Sequence, residues 1–412
     1  MATPAAPSAF LWGVATAAHQ IEGNNVASDY WLLEHQQPTT FKEPSGDCCD
    51  SWNRWPEDVA LVAGLGCNAY RFSVEWARIE PEPGRFSRAA LDHYRRQCAA
   101  LREVGVTPVV TLHHFSSPRW LAARGGWEDA GTPSAFARYA ERTLRAIGDL
   151  VGAVCTINEP NAQVNSYILR GERPFDGEAA VVAAARKALG SERFGAYFMG
   201  DSYRVRDVCI EAHKLAVKAV GEAAPGVPAG MTLALQALAP GEGGEALYRK
   251  MFDNARAPFY AAAHGDAFLG VQPYNRLFTG PKGYLPPRPG REVDRWGHEC
   301  DPGVLEDAIR EAVRCTGVPI YITEHGINSD NDNQRITHLV ESLKGLDRCR
   351  AEGLTVWGYT HWSLLDNFEW RSGYAQKFGL YGCDRETFQR RAKPSAARFA
   401  AHVRAARGLP PR

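Results

Sequence analysis

Residues 153–161 read AVCTINEPN. A short apolar run with the make-up of a buried strand ends in Asn158, Glu159 and Pro160, so the chain carries a carboxylate to the strand's tip and stops the strand with proline. An unpaired carboxylate in a dry site is costly. Glu159 is therefore either a structural anchor paired with an arginine or a group held still for chemistry.

The rest of the chain repeats this pattern. Similar runs are FLWGVATAA (10–18), CNAYRFSVEW (67–76), TPVVTLHH (107–114), GMTLALQAL (230–238), FLGVQPYN (268–275), PIYITEHG (319–326) and VWGYTHWSLL (356–365). Most are nearly continuous in apolar residues, as expected of strands covered on both faces. Helical patterns separate them. In RWPEDVALVAGLG, Pro56 suits a first helical turn and Gly66 a closing cap. Leu91, Tyr94, Cys98 and Leu101 share one face of a helix over 87–105, and Thr132-Pro133 opens the next. Further helical patterns cover 202–223, 302–315, 334–352 and 394–407. Eight βα alternations without a GxGxxG loop predict an α/β fold, a single (β/α)8 TIM barrel forming one domain over residues 1–412. The segments 19–53, 161–201, 239–264 and 276–300 are read as long loops over the C-terminal face of the strands.

Composition narrows the function. Of 412 residues, 45% are apolar and 23% charged, which fits a globular protein with a large core. The formal net charge is zero and no Lys/Arg block appears, which argues against nucleic acid or a membrane surface as partner. The first residues, MATPAAPSAFLWG, lack the pattern of a secretory signal, and the ten cysteines show no CxxC spacing. They read as reduced thiols of a cytoplasmic protein.

In a barrel of this kind the C-terminal strand ends share one mouth. Glu159 ends the fourth strand and Glu324, in PIYITEHG, ends the seventh, so both project into it. Paired carboxylates across a sugar-sized cleft are the equipment of glycoside hydrolysis. Eleven tryptophans, whose faces bind sugar C–H surfaces, suit a neutral sugar substrate. Position alone also allows either glutamate to be a barrel-mouth ion pair. Glu75, in RFSVEW, is a third carboxylate in a similar place, and the arginines beside it favour a structural pair.

FLWGVATAAHQIEG, RFSVEWARIEP, TINEP, ITEHG and WSLLDNFEWRSGYAQKFGLY, in that order from Phe10 to about Lys393, closely resemble glycoside hydrolase family 1, the β-glucosidase and β-galactosidase type. The resemblance implies a (β/α)8 barrel and retaining double displacement, with Glu159 as acid/base and Glu324 as nucleophile. It implies that Arg71 and Tyr274 hydrogen-bond the nucleophile. It assigns the donor sugar to Gln20, His114, Asn158, Glu369 and Trp370, with Trp362 as ring platform and Phe378 near O6. No cofactor or metal is implied. The retained carboxylate of Glu369 disfavours 6-phosphorylated sugars, and the glutamate of TINEP disfavours thioglucosides.

Four departures bear on sugar recognition. Phe115 stands where the pattern has tryptophan, Gln272 where it has asparagine, and His325 where it has asparagine; Pro273 replaces a tyrosine. The expected activity is hydrolysis of terminal non-reducing β-D-glucosyl residues, with β-galactosyl or β-fucosyl as further sugars and a neutral β-glycoside or short oligosaccharide as substrate. Two other readings remain: a transglycosylase using the same glycosyl-enzyme, and a non-catalytic sugar-binding barrel. A metallohydrolase is disfavoured, because His113 and His114 point to opposite faces of a strand and no HxH or HExxH occurs. Trp12, Trp76 and Trp357 read as core, and Tyr167, Phe175 and Tyr203 as either aglycone contacts or surface packing.

Overall fold

The computed structural model describes residues 6–411. Eight parallel strands close into a barrel: β1 (Leu11–Ala15), β2 (Ala69–Ser73), β3 (Thr107–His113), β4 (Ala153–Asn158), β5 (Ala229–Ala234), β6 (Leu269–Gln272), β7 (Ile320–His325) and β8 (Val356–Trp362). Each pairs with its sequence neighbours, and β1 closes on β8 from Leu11 opposite Gly358 to Ala15 opposite Trp362. The outer ring is α1 (Ser51–Gly64), α2 (Arg88–Glu103), α3 (Thr132–Ile147), α4 (Ser202–Ala223), α5 (Ala257–Ala263), α6 (Val304–Thr316), α7 (Asp332–Ala351) and α8 (Pro394–Ala406).

Alternation along the strands separates two cores. Leu11, Ala69, Val109, Ala153, Tyr321 and Trp357 belong to a small cluster filling the barrel, while their successors Trp12, Tyr70, Val110, Val154, Ile322 and the nearby Tyr359 join the large layer under the helices. Both faces of each strand are covered, which is why the sequence runs are nearly continuous in apolar residues. Trp12, Trp76 and Trp357 are buried in these layers, as expected.

Two sequence readings are corrected. Helix α1 begins at Ser51, so Pro56 lies inside it rather than in its first turn. The extra turn is held by side chains: the Ser51 hydroxyl donates to Asp58 of the same helix at 2.7 Å, and Trp52 stacks on His93 of α2 with ring centroids 3.7 Å apart. Packing there outweighs the hydrogen bond that proline cannot make. The segments read as loops carry helices: 19–53 contains Asp29–His35, 161–201 contains Ala162–Leu169 and Glu178–Leu189, and 239–264 contains Glu245–Ala255 followed by α5. The break at Arg256 and the following Pro258 hide the helical pattern.

The strands bearing the two carboxylates are irregular. Between β4 and β5, Cys155 faces Gly230 and Asn158 faces Thr232, three steps against two. Between β7 and β8, Ile322 faces Tyr359 but His325 faces His361, again three steps against two. Each extra residue is a bulge, which inverts the alternation beyond it. Strict alternation from Tyr321 would turn His325 inward and Glu324 out; the bulge brings Glu324 to the cavity and sets His325 against His338 of α7, ring centroids 5.0 Å apart.

Backbone approach is close where β5 meets the segment before β6: a Cβ at Gly230 would stand 2.0 Å from the Phe268 carbonyl oxygen. Gly230→Ala is expected to lower unfolding free energy by about 1–3 kcal/mol through overpacking. Urea denaturation checks it, and an unchanged midpoint would contradict the packing.

Candidate active site

A cavity of about 360 Å³ opens at the C-terminal ends of the strands. Glu159, Glu324, Tyr274, His114, Asn158, Trp362, Glu369, Trp370 and Phe378 line it. Arg71 and Gln20 stand behind its wall, both fully buried.

Glu324 is gripped from three sides. Arg71 NH1 donates to Oε1 at 2.5 Å, Gln272 Nε2 to the same oxygen at 3.0 Å, and the Tyr274 hydroxyl to Oε2 at 2.5 Å. Arg71 is itself fixed, with NH2 donating to Asn158 Oδ1 at 2.6 Å and Nε to Thr111 Oγ1 at 3.0 Å. Burial pushes the Glu324 carboxyl upward, and Arg71 and Tyr274 pull against that shift by favouring the charged form.

Glu159 has a different setting. It follows the last residue of β4 with φ of +45°, in the left-handed region, which tips its side chain off the strand axis. The side chain is partly open to the cavity and lacks a guanidinium or phenol partner of its own. Burial first, then the charge of Glu324, raise its pKa well above the ordinary carboxylate range; Arg71 pulls the other way, and Glu369 adds a smaller upward push. Of the two acids, Glu159 therefore keeps its proton to higher pH. Environments that push paired carboxylates apart in this way assign the acid and the ion.

Toward the closed end, Asn158 Oδ1 accepts from Arg71, from Thr232 Oγ1 at 3.0 Å and from Gln272 Nε2 at 2.9 Å. Only its amide nitrogen, 3.1 Å from His114 Nε2, is left to face a ligand. Burial, then the Arg71 charge, hold the His114 ring neutral, and it stacks on Trp362 and Trp370. Glu369 is pushed up to about 8, chiefly by burial, so it carries a proton at neutral pH; its Oε1 has no partner. Gln20 donates its amide nitrogen to the Phe368 carbonyl at 2.8 Å and to Asn367 Oδ1 at 3.3 Å, its Oε1 has no partner among the described residues, and the side chain lies close enough to Glu369 to favour the ionised carboxylate.

Several readings change. Glu75 pairs with no arginine: Ser116 Oγ donates to it at 2.7 Å and the Ala77 amide at 3.2 Å, while Arg78 turns to Glu22. Tyr167, Phe175 and Tyr203 are absent from the cavity wall, where Phe198 and Met199 stand instead. His325 faces the helices, donating or accepting at Tyr359 OH at 2.8 Å, so that departure does not touch a sugar. Gln272, noted in the sequence only as a departure, bridges Glu324 and Asn158. Phe115 does line the cavity, packed on Trp370 at 5.0 Å between ring centroids. Among the described residues no group of three or more His, Cys, Asp or Glu side chains is placed to hold a metal, and no helix is long and apolar enough to cross a membrane.

Two acids of unequal proton affinity facing one sugar-sized cavity are suited to cleaving a glycosidic bond, and the chain is a glycoside hydrolase. It belongs to glycosyl hydrolase family 1, whose sequence profile matches residues 3–258 and 289–408. Gln272 and Tyr274 fall between those spans, yet the structure places both on Glu324. The chain is 30% identical to a β-glucosidase of Agrobacterium sp., covering 96% of this chain and 94% of that one. It is 29% identical to a bifunctional β-D-glucosidase/β-D-fucosidase of Bifidobacterium breve, covering 94% and 96%. The crystal structure of β-glycosidase BGL167 superposes with a TM-score of 0.94 at 44% identity, covering 98% of each chain.

Because the charge of Glu324 raises the pKa of Glu159, Glu324→Gln is expected to lower it. Carboxyl-carbon NMR titration of Glu159 in both proteins reads the shift directly. A pKa that stays put or rises would show that burial alone sets the acid.

Proposed function

We propose that this chain is a retaining β-glycosidase, foremost a β-glucosidase with β-fucosyl and β-galactosyl as further sugars, acting on terminal non-reducing residues in the cytoplasm. The observation that carries the reading is the contrast between the two acids: Glu324 is oriented by a guanidinium, a phenol and an amide, and Glu159 is left protonated in the same cavity. The β-glucosidase and β-fucosidase relatives support the choice of sugars.

The chemistry follows from those settings. The Glu324 carboxylate attacks the anomeric carbon, the bond to the aglycone oxygen breaks, and the Glu159 proton goes to that oxygen. Formation of the ester removes the charge of Glu324, so the raised pKa of Glu159 falls and Glu159 becomes a base. It takes a proton from water, whose oxygen attacks the anomeric carbon and releases Glu324. Two inversions leave the configuration retained. The Asn158 amide nitrogen is placed for the sugar 2-OH, and Glu369 with Gln20 for hydroxyls at the far edge of the ring.

Glu324→Gly is expected to cut hydrolysis of aryl β-glucosides by several orders of magnitude. Added azide should restore turnover by single displacement, giving the α-glycosyl azide, which NMR identifies; turnover like the unaltered protein's would refute the nucleophile. Glu159→Ala should depress kcat/KM for poor leaving groups far more than for dinitrophenyl glycosides. Equal losses on both would remove Glu159 from the acid role.

A further inference from the structure

The mouth of the cavity carries a charge that the two catalytic acids do not explain. Its wall is apolar along Phe115 and Phe198, whose rings meet edge to face with centroids 5.0 Å apart, yet Arg170 and Arg371 also line it. Neither arginine forms a salt bridge among the described residues. Arg170 donates from NH1 to Ser166 Oγ at 2.7 Å and from Nε to the Arg173 carbonyl at 3.2 Å. The Arg371 guanidinium lies over the Phe175 ring at 4.6 Å.

The two guanidiniums act on each other. Burial lowers the pKa of Arg170, the Glu178 carboxylate pulls it back up, and the charge of Arg371 lowers it further by a smaller amount. That carboxylate is already engaged, accepting from the Phe175 amide at 3.2 Å and the Gly200 amide at 2.9 Å. Two like charges partly withdrawn from water beside an apolar wall repel, and an anion between them relieves the repulsion.

Their place in the fold says which end of the substrate they meet. Arg170 directly follows the short helix Ala162–Leu169, which leaves the strand tip bearing Glu159, the proton donor to the leaving group. Phe175, five residues further on, draws the Arg371 guanidinium to the same side.

Resting on the glycosidase reading above, we propose that the leaving-group end of this pocket selects aryl carboxylates: aglycones with an aromatic body against Phe115 and Phe198 and a carboxylate between Arg170 and Arg371. Both arginines are half-buried, so solvent screens part of the attraction and the preference is moderate.

Calorimetric titration of the whole protein with 4-hydroxybenzoate and 4-hydroxybenzamide, ligands of nearly equal shape, tests the site without turnover. The carboxylate is expected to bind about tenfold tighter at low ionic strength, as charge-assisted hydrogen bonds to arginine allow. That advantage should shrink with added salt and collapse toward unity in the Arg170→Gln/Arg371→Gln double variant, with partial recovery in the Lys/Lys variant. Equal affinities in the unaltered protein, or an advantage that survives the double variant, would overturn the proposal. The β-glucosides of the same two phenols supply the second readout, the ratio of their kcat/KM values in each protein. Hydrolysis of neutral p-nitrophenyl β-glucoside separates the two claims, since its absence counts against the glycosidase reading while the binding titrations still judge the anion site.

Discussion

One buried cation organises this barrel. Arg71 has no exposed surface, and its guanidinium is divided among Glu324, Asn158 and Thr111, three side chains from three strands. A charge so withdrawn from water is tolerated only with an opposite charge and full hydrogen bonding, and loss of one partner of such a pair typically costs about 3–5 kcal/mol. Arg71 therefore requires an ionised Glu324 as much as Glu324 requires Arg71. The same contact fixes the Asn158 amide so that its oxygen is consumed and its nitrogen faces the ligand. Orientation of Glu324 and of the Asn158 amide thus share a single source.

Glu159 gains its character from the opposite circumstance. No side-chain hydrogen bond holds it among the described residues, its backbone φ is positive, and burial and the charge of Glu324 outweigh the pull of Arg71. Burial raises both acids, the charge of Glu324 raises Glu159 further, and Arg71 favours the ionised form of Glu324.

Much of this arrangement is legible in the sequence. The run TINEP places a carboxylate at a strand tip, and eight apolar runs separated by helices define the barrel around it. Ser202–Ala223 emerges as a helix within the bounds its pattern predicts. What escapes the pattern has physical causes. The helices at 245–263 are broken at Arg256, which erases the periodicity a reader relies on. The bulges at β4 and β7 leave no mark in composition, because an extra residue in a strand looks like any other residue. Period-two reasoning therefore turns Glu324 and His325 the wrong way, and only the pairing with β8 corrects it. Arg371 lies within the run WSLLDNFEWRSGYAQKFGLY and Gln272 shows in the sequence only as a departure; both acquire meaning through contacts with distant segments.

The proton on Glu369 has a thermodynamic corollary. A sugar whose hydroxyls donate to both oxygens of that carboxyl engages the ionised form, whereas the vacant pocket near neutrality holds the acid. Complexation is then linked to release of a proton into the buffer. The heat absorbed or evolved on mixing acquires a contribution from the buffer's own ionisation, and affinity for an uncharged sugar climbs as alkalinity increases toward about pH 8.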